Sequence, residues 1–149
     1  GMVLGFLNGL GEVDARLVEE LIDDGTWPWT FHRAVDACLD TDKAWDTLRT
    51  LPRLDQVLTA GSARDVEHGL GDLIARAKGD PWSASVMMAG GGLHPDHVPW
   101  LARAGVRAFH IGSPARPGGS YKAYVDADLV RSWRTLIDDE VRHRPAATA

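Results

Sequence analysis

The stretch TFHRAVDAC, residues 30–38, places three side chains with acid–base or ion-binding chemistry within five positions. An imidazole such as that of His32 can give or take a proton near neutral pH. The guanidinium of Arg33 presents planar donors that suit a carboxylate or a phosphate, and the carboxylate of Asp36 can fix the tautomer of a nearby imidazole. His110, at the end of a later apolar run, supplies a second imidazole. We predict that these four residues are catalytic.

Glycines and hydroxyl groups follow the other apolar runs. The segment MAGGGLHP, residues 88–95, has three glycines directly before a helical pattern. Backbone amides at such a turn can cradle an anion, because glycine permits close approach and a helix N-terminus is electropositive. The predicted ligand-binding residues are Thr59, Gly61, Gly90, Gly91, Gly92 and Ser113.

Each of these features also has a purely structural interpretation. His32 can be a hydrogen-bonded residue that closes the end of a barrel layer, and Arg33 and Asp36 can form a plain ion pair. The glycine run can be no more than a tight turn. Convergence of several strand ends on one opening is what favours the functional interpretation.

The elements that must position these residues are short strands that alternate with helices. Five apolar runs predict buried strands at 2–7, 27–32, 54–60, 83–89 and 106–111. Amphipathic stretches between them predict helices at 14–24, 40–51, 62–78, 94–104 and 127–142. This alternation predicts five consecutive βα units with a parallel sheet in an α/β fold.

Two architectures accommodate such units, an open doubly wound sheet and part of a (β/α)8 barrel. A dinucleotide-binding sheet requires G-x-G-x-x-G after its first strand, and NGLGEVD does not fit that spacing. The polar residues lie instead at the carboxyl ends of several strands, as in a barrel. A full barrel has eight units and typically ~250 residues, so we expect a partial TIM barrel from the C-terminal part of a larger one. Its open edges favour a homo-oligomer.

Strand alternation predicts which side chains face the barrel interior. Bulky Trp29 and Phe31 suit the layer under the helices, so His32 is expected to point inward. By the same reasoning His110 points inward, and Thr59 is expected on the inner face together with the preceding Val57. Two imidazoles and a hydroxyl group would then meet at one opening.

Charge and composition exclude several classes of partner. The net charge is −5 and there is no run of Lys or Arg, which argues against nucleic acid or an anionic membrane as the main partner. No apolar run approaches the length of a membrane span and the start lacks a signal-peptide pattern, so a cytoplasmic location is predicted. We expect a single domain over residues 1–143 and a flexible tail over 144–149.

The segments TFHRAVDAC, LDQVLTAG, VMMAGGGL and GVRAFHIGS, in this order and spacing, resemble the CutC copper-homeostasis family. The resemblance covers nearly the whole chain, and FHRAxDxC and xLTxG are its most specific parts. It implies a (β/α)8 barrel of which this chain represents strands four to eight. Where the family commonly has two serines after the last histidine, this sequence has Ile111 and Gly112 before Ser113. The family's strand-end positions fall on His32, Arg33, Asp36, Thr59, Gly61, Gly90 and His110.

The resemblance implies copper binding and a role in copper homeostasis, but the residues give this little direct support. Cu(I) prefers sulfur ligands, and Cys38 is the single cysteine. Met87 and Met88 are adjacent in a predicted strand, so they point to opposite faces and cannot chelate one ion. His94 and His97 have a helical spacing that can grip a metal or can be plain surface. No metal ligands are assigned from the residues, and copper rests on the resemblance.

Three alternatives follow: a CutC-like protein that binds copper, an enzyme acting on a small anionic or phosphorylated metabolite, or an inactive fragment that folds only by association. The enzyme would use His32 and His110 as acid–base groups and Arg33 with the glycine amides to hold the anion.

Overall fold

The computed structural model describes residues 1–23 and 25–142. Within them, five strands alternate with α-helices. The strands are β1 (Met2–Leu4), β2 (Trp29–Phe31), β3 (Leu54–Thr59), β4 (Met87–Gly90) and β5 (Ala108–His110). The helices are α1 (Ala15–Ile22), α2 (Thr41–Thr50), α3 (Val66–Gly79), α4 (Pro81–Val86), α5 (His97–Ala104) and α6 (Ala127–Arg142). Short 3₁₀ helices lie at Arg33–Ala37, Ser113–Ala115 and Pro117–Gly119.

The sheet is parallel throughout, and its strands lie side by side in sequence order from β1 to β5. A doubly wound sheet reverses its strand order near the middle, whereas a barrel adds each strand next to the preceding one. The protein therefore has an α/β fold with five consecutive βα units, arranged as in a partial (β/α)8 barrel. Strands β1 and β5 form the two edges of the sheet.

The hydrophobic core lies between the sheet and the helices. Trp29 and Phe31 on β2 are buried there, and Val57 and Met87 continue the same layer on β3 and β4. The opposite, inner face carries Leu58 and His110 and is only partly covered among the described residues. The alternation predicted for β2 and β5 is therefore confirmed.

The prediction that Val57 and Thr59 face the barrel interior is wrong. Val57 pairs in register with Phe31, and residues in register on parallel strands point to the same face. Both Val57 and Thr59 are buried on the helix side, and Leu58 faces inward instead. The sequence LDQVLTAG has apolar residues on both faces, so its alternation does not show which face is buried. The pairing of β2 with β3 also shifts register by one position.

Aspartates begin several of the helices. Asp14, Asp40 and Asp65 each accept a hydrogen bond from the backbone amide three residues on, which satisfies a free first-turn donor. The helix predicted from residue 62 thus begins at Val66. The strand predicted over 83–89 is wrong in its first half, because α4 extends to Val86 and β4 begins one residue later.

Close backbone contact joins β3 to α3. A Cβ atom at Gly69 would lie 2.0 Å from the carbonyl oxygen of Ala60, so the helix can approach the strand end only with glycine at this position. Among the described residues, no helix is both long and apolar enough to cross a bilayer. The predicted tail, 144–149, lies outside the described residues, as does residue 143, the predicted end of the domain.

Candidate functional site

The guanidinium of Arg33, in the turn after β2, is held by several partners. Its Nε donates to Oδ2 of Asp36 at 2.8 Å, and its Nη2 donates to the carbonyl oxygens of Ser62 at 3.0 Å and Arg64 at 3.2 Å. Within the described part of the chain, Nη1 has no hydrogen-bond partner. It lies against Gly91, where a Cβ atom would be 2.7 Å from it. Arg33 is therefore fixed with one nitrogen left to donate.

Asp36 is the buried group that fixes Arg33. Its side chain is 4% exposed. Besides Arg33, it accepts from the Thr59 hydroxyl at 2.5 Å and from the backbone amide of Ala60 at 2.9 Å. The Thr59 hydroxyl in turn accepts from the amide of Gly61 at 3.0 Å. The prediction that Asp36 orients an imidazole is wrong, because its oxygens bind these groups and, within the described ranges, no histidine.

A cleft of about 240 Å³ opens beside Arg33 at the carboxyl ends of β4 and β5. It brings together residues from the turn after β2, the glycine-rich turn after β4, and the end of β5 with the segment that follows it. Of the predicted site residues, it is lined by Arg33, Gly91, Gly92, His110 and Ser113. Leu58, Leu93, Gly112, Pro114 and Tyr121 complete its walls. The cleft thus combines a fixed cation, an imidazole, a hydroxyl group and a glycine-rich backbone.

The glycines of β4 and its following turn leave room for the other groups of the cleft. A Cβ atom at Gly90 would lie 2.7 Å from the Cβ of His110 and 2.9 Å from Cδ1 of Leu58. Gly91 and Gly92 have φ angles of +101° and +72°, which disfavour residues with a side chain. The backbone can therefore run close to Arg33 and to any ligand beside it.

His32 does not line this cleft. Its Nδ1 accepts from the backbone amide of Ala34 at 3.0 Å, so it caps the 3₁₀ helix that follows β2. The ring lies over Gly5, which directly follows β1, and a Cβ atom there would be 2.3 Å from it. Because β3 and β4 separate β2 from β5, the strands of His32 and His110 lie about 14 Å apart along the sheet. The predicted meeting of two imidazoles at one opening is wrong, and the structural interpretation of His32 accounts for its contacts.

Thr59 and Gly61 are also separated from the cleft. With Asp36 they line a smaller cavity of about 80 Å³ on the helix side of the sheet. A Cβ atom at Gly61 would lie 2.5 Å from the carbonyl oxygen of Gly69. These residues position the strand end and Arg33, and they do not share the opening with His110.

Tyr121 is a cleft residue that sequence reasoning missed. Its hydroxyl oxygen lies 2.9 Å from where a Cβ atom of Gly112 would be. The guanidinium of Arg116 lies 5.7 Å from its ring centroid and donates to the carbonyl oxygen of Ala123. The segment between β5 and α6 lacks periodicity, so no pattern placed it. An aromatic residue shortly after the last strand end was the available signal.

The residues present do not fit a copper site. Within the described ranges, no three His, Cys, Asp or Glu side chains are grouped so that they could hold a metal ion. Burial, together with the negative charges of Asp36 and Glu12, raises the pKa of the Cys38 thiol, which disfavours the thiolate that metals bind. Met87 is buried in the core and Met88 lies on the inner face, so the two side chains point to opposite faces as predicted.

His94 and His97 do not form a metal-binding pair, and they are not simply two solvent-exposed residues. His97 is 4% exposed. Its Nδ1 accepts from the amide of His94 at 3.0 Å, and its Nε2 lies 2.7 Å from Oε2 of Glu67. Both ring nitrogens are engaged, so His97 links the start of α5 to α3.

Comparisons with a family model and with curated proteins point to the same family. The family model for the CutC family matches residues 1–114. Family protein CutC of Klebsiella pneumoniae (strain 342) is 37% identical over 145 residues, which cover 89% of this chain and 57% of that protein. Family protein CutC of Yersinia enterocolitica is 32% identical over 143 residues, covering 93% of this chain and 54% of that protein.

The chain spans about half the length of the curated relatives it matches. The family match nonetheless extends over all five strands, including the turn that carries Arg33 and the strand end that carries His110. The chain belongs to the CutC family.

Proposed function

We propose that the cleft beside Arg33 binds a small anion, a carboxylate or a phosphate, and that His110 exchanges a proton with the bound molecule. The observation that carries the proposal is the arrangement of Arg33. Its Nε and Nη2 are satisfied by the protein, and Nη1 alone is left to donate beside Gly91 at the wall of the cleft.

A cation fixed in this way suits binding. A mobile surface arginine must lose side-chain freedom when it holds a ligand, which weakens binding. The contacts of Arg33 with Asp36 and with three carbonyl groups fix the side chain before a ligand binds. Because only Nη1 remains, the anion accepts from it end-on, and further donors must come from the Ser113 hydroxyl and from backbone amides near Gly91 and Gly92.

Of the histidines that the structure describes, His110 is the one that lines this cleft. It is exposed, and its ring has no hydrogen-bond partner among the residues that the structure describes. The ring is therefore available to a ligand and can act as a general acid or base there. His32 has no part in this proposal, because its Nδ1 already accepts a backbone amide proton.

A thermal-shift titration with inorganic phosphate tests the proposal. A ligand that binds the native state raises the melting temperature with the logarithm of its concentration. We expect this response in the unmodified chain and its loss in Arg33→Ala. His110→Asp, at an exposed position, places a negative charge in the cleft and is expected to abolish the response without disturbing the core. The control is Arg64→Ala, which removes an exposed cation and should leave the response unchanged. A response equal in all four proteins contradicts the proposal.

A role in copper homeostasis is a second proposal, and family membership supports it. Because the described donor groups do not fit Cu(I), we propose that this role does not depend on stoichiometric Cu(I) binding by them. Competition against a Cu(I) chelator under reducing conditions tests this point. We expect no stoichiometric uptake, and uptake that Cys38→Ser reduces would contradict it. A cytoplasmic location stays a proposal; a free, buried Cys38 thiol is compatible with a reducing compartment.

A further inference from the structure

A second cleft, of about 370 Å³, lies at the opposite end of the sheet from Arg33. It is formed where α3 and α4 lead toward β4 and where α5 leads into β5. In a βα fold these are the amino ends of the strands, whereas the cleft beside Arg33 lies at their carboxyl ends. The two clefts therefore have separate walls and share no residue.

The floor of this second cleft consists of small apolar residues. Ala77, Ala84 and Ala104 line it and are largely buried. Gly105 adjoins them with a φ of +108°, and a Cβ atom there would lie 3.4 Å from the Cβ of Ala84. Small side chains on three helices thus leave an apolar depression that larger ones would fill.

The charged residues of the lining are basic. Among the residues that the structure describes, Lys78, Arg103 and Arg107 line the cleft and no acidic residue does, although the chain as a whole has a net charge of −5. In the described residues, neither Lys78 nor Arg103 has a carboxylate within ion-pair distance, whereas many other cations of the chain are paired with Asp or Glu. Arg103 lies over the ring of Trp100 at 5.2 Å.

Two of these cations lie at helix ends. Lys78 is in the last turn of α3 and Arg103 in the last turn of α5, where a positive charge offsets the partial negative charge of the carbonyl groups. The hydrogen bonds to the carbonyl oxygens at the end of α5 come from Nη1 of Arg107, at 2.8 Å to Ala102 and 3.2 Å to Val106. Among the described residues, the side chains of Lys78 and Arg103 make no hydrogen bond, so their charged groups can also contact a ligand.

We propose that this second cleft binds a small amphipathic anion. Its slim apolar body would lie on Ala77, Ala84 and Ala104, and its single anionic head would lie between Lys78 and Arg103. Burial of the apolar body supplies most of the affinity, and the cations select the charge of the head. This proposal does not depend on the function proposed for the cleft beside Arg33.

Isothermal titration calorimetry with four probes tests the proposal. Octanoate has both the apolar body and the anionic head, octanol lacks the charge, octylammonium reverses it, and inorganic phosphate lacks the apolar body. We expect octanoate to bind with a stoichiometry near one, at least tenfold more tightly than each of the other three. Equal binding of octanol would show that the cations play no part, and preferential binding of octylammonium would show that the helix carbonyls dominate. Either result overturns the proposal, as does no binding of octanoate.

Variants locate the binding. Ser85 is exposed on α4 at the edge of the cleft, so Ser85→Glu adds a negative charge there without a change in the core. We expect this variant to weaken octanoate binding at least tenfold and Lys78→Gln or Arg103→Gln to weaken it severalfold. The matched control is Ser132→Glu, at an exposed position of α6, which should bind as the unmodified chain does. Unchanged binding in Ser85→Glu would place octanoate elsewhere, for example on the inner face of the sheet, and would overturn the proposal. Attachment of the chain to phosphatidylglycerol vesicles without binding of free octanoate would also overturn it.

Discussion

Oδ2 of Asp36 accepts a hydrogen bond from Nε of Arg33 at 2.8 Å, and these two residues join the core of the sheet to the candidate cleft. Asp36 is buried beside β3, and the side chain of Arg33 is 32% exposed. The buried carboxylate therefore fixes the position of a partly exposed cation. Stability and ligand binding are expected to be linked through this pair.

Replacement of Asp36 by Asn tests that link. The amide group is uncharged and cannot accept from Arg33, Thr59 and the amide of Ala60 as the carboxylate does. We expect the free energy of unfolding to fall by roughly 2–4 kcal/mol, because a buried charge-assisted network is broken. Phosphate binding should weaken as well. Urea denaturation measures the first effect, and Asp55→Asn, at an exposed position of β3, is the control. A change below that of the control would show that the network does not stabilise the fold.

Two glycines of α3 provide a matched pair. A Cβ atom at Gly69 would lie 2.0 Å from the carbonyl oxygen of Ala60, whereas a Cβ at Gly71 would meet, among the described residues, no atom within 4 Å apart from its chain neighbours and the adjacent backbone of its own helix. Gly69→Ala must push α3 away from β3, and we expect the free energy of unfolding to fall by roughly 2 kcal/mol or more. Gly71→Ala should stabilise the protein by roughly 0.5–1 kcal/mol, because alanine loses less backbone entropy in a helix. Denaturation curves of both variants check this, and equal effects would contradict the contact.

Asp80 predicts a dependence of stability on pH. Desolvation raises the pKa of this carboxyl group, but hydrogen bonds from Ser83 and Arg49 outweigh it, and the pKa lies below its ordinary value of 3.8. A folded-state pKa below the unfolded value means that the charged form stabilises the fold above that value. This contribution is lost as the pH falls through 3.8 and then through the folded pKa.

The variant Asp80→Asn isolates this charge, because asparagine is also a good N-cap for α4. We expect it to lower the free energy of unfolding by roughly 0.5–1 kcal/mol at pH 7 and by clearly less at pH 3. Asp46→Asn, at an exposed position of α2, serves as the comparison at both pH values. If Asp80→Asn lowers the free energy of unfolding more at pH 3 than at pH 7, the direction of the pKa shift is wrong.

Open sheet edges predict self-association. Strands β1 and β5 have no further strand beside them among the described residues, and Val3 on β1 is 63% exposed. Unpaired strand edges favour pairing with another chain. Light scattering on the purified chain should give a multiple of its mass of 16.2 kDa. A mass of one chain at micromolar concentration contradicts the prediction.

Much of the fold was predictable from local patterns. The bulky side chains of Trp29 and Phe31 showed which face of β2 is buried, so the inward position of His32 followed correctly. In β3 both faces carry apolar residues, and only the register with β2 shows that Thr59 is buried on the helix side. The start of β4 was missed because an apolar run suits a strand or a buried helix. Pro81 after Asp80 was the signal for the helix.

The candidate site was predictable only in part. The sequence places Arg33, Gly91 and His110 at strand ends, and the structure brings them to one cleft. Sequence alone does not show how hydrogen bonds are shared. The Nδ1 of His32 accepts from an amide two residues on and Asp36 pairs with Arg33 three residues before it, so both pairings are local in sequence but compete with other partners. The contacts of Asp36 with Thr59 and Ala60 depend on how β3 packs beside this turn. Residues in an aperiodic loop, such as Tyr121, give no pattern to place them.

Nuclear magnetic resonance with inorganic phosphate tests the central claim most directly, because it locates the anion. Amide signals of Gly91, Gly92 and Ser113 are predicted to shift together and to saturate at one ligand concentration, and to stay unshifted in Arg33→Ala. Shifts that do not saturate, that persist in Arg33→Ala, or that centre on Lys78 and Arg103 would contradict an anion site beside Arg33.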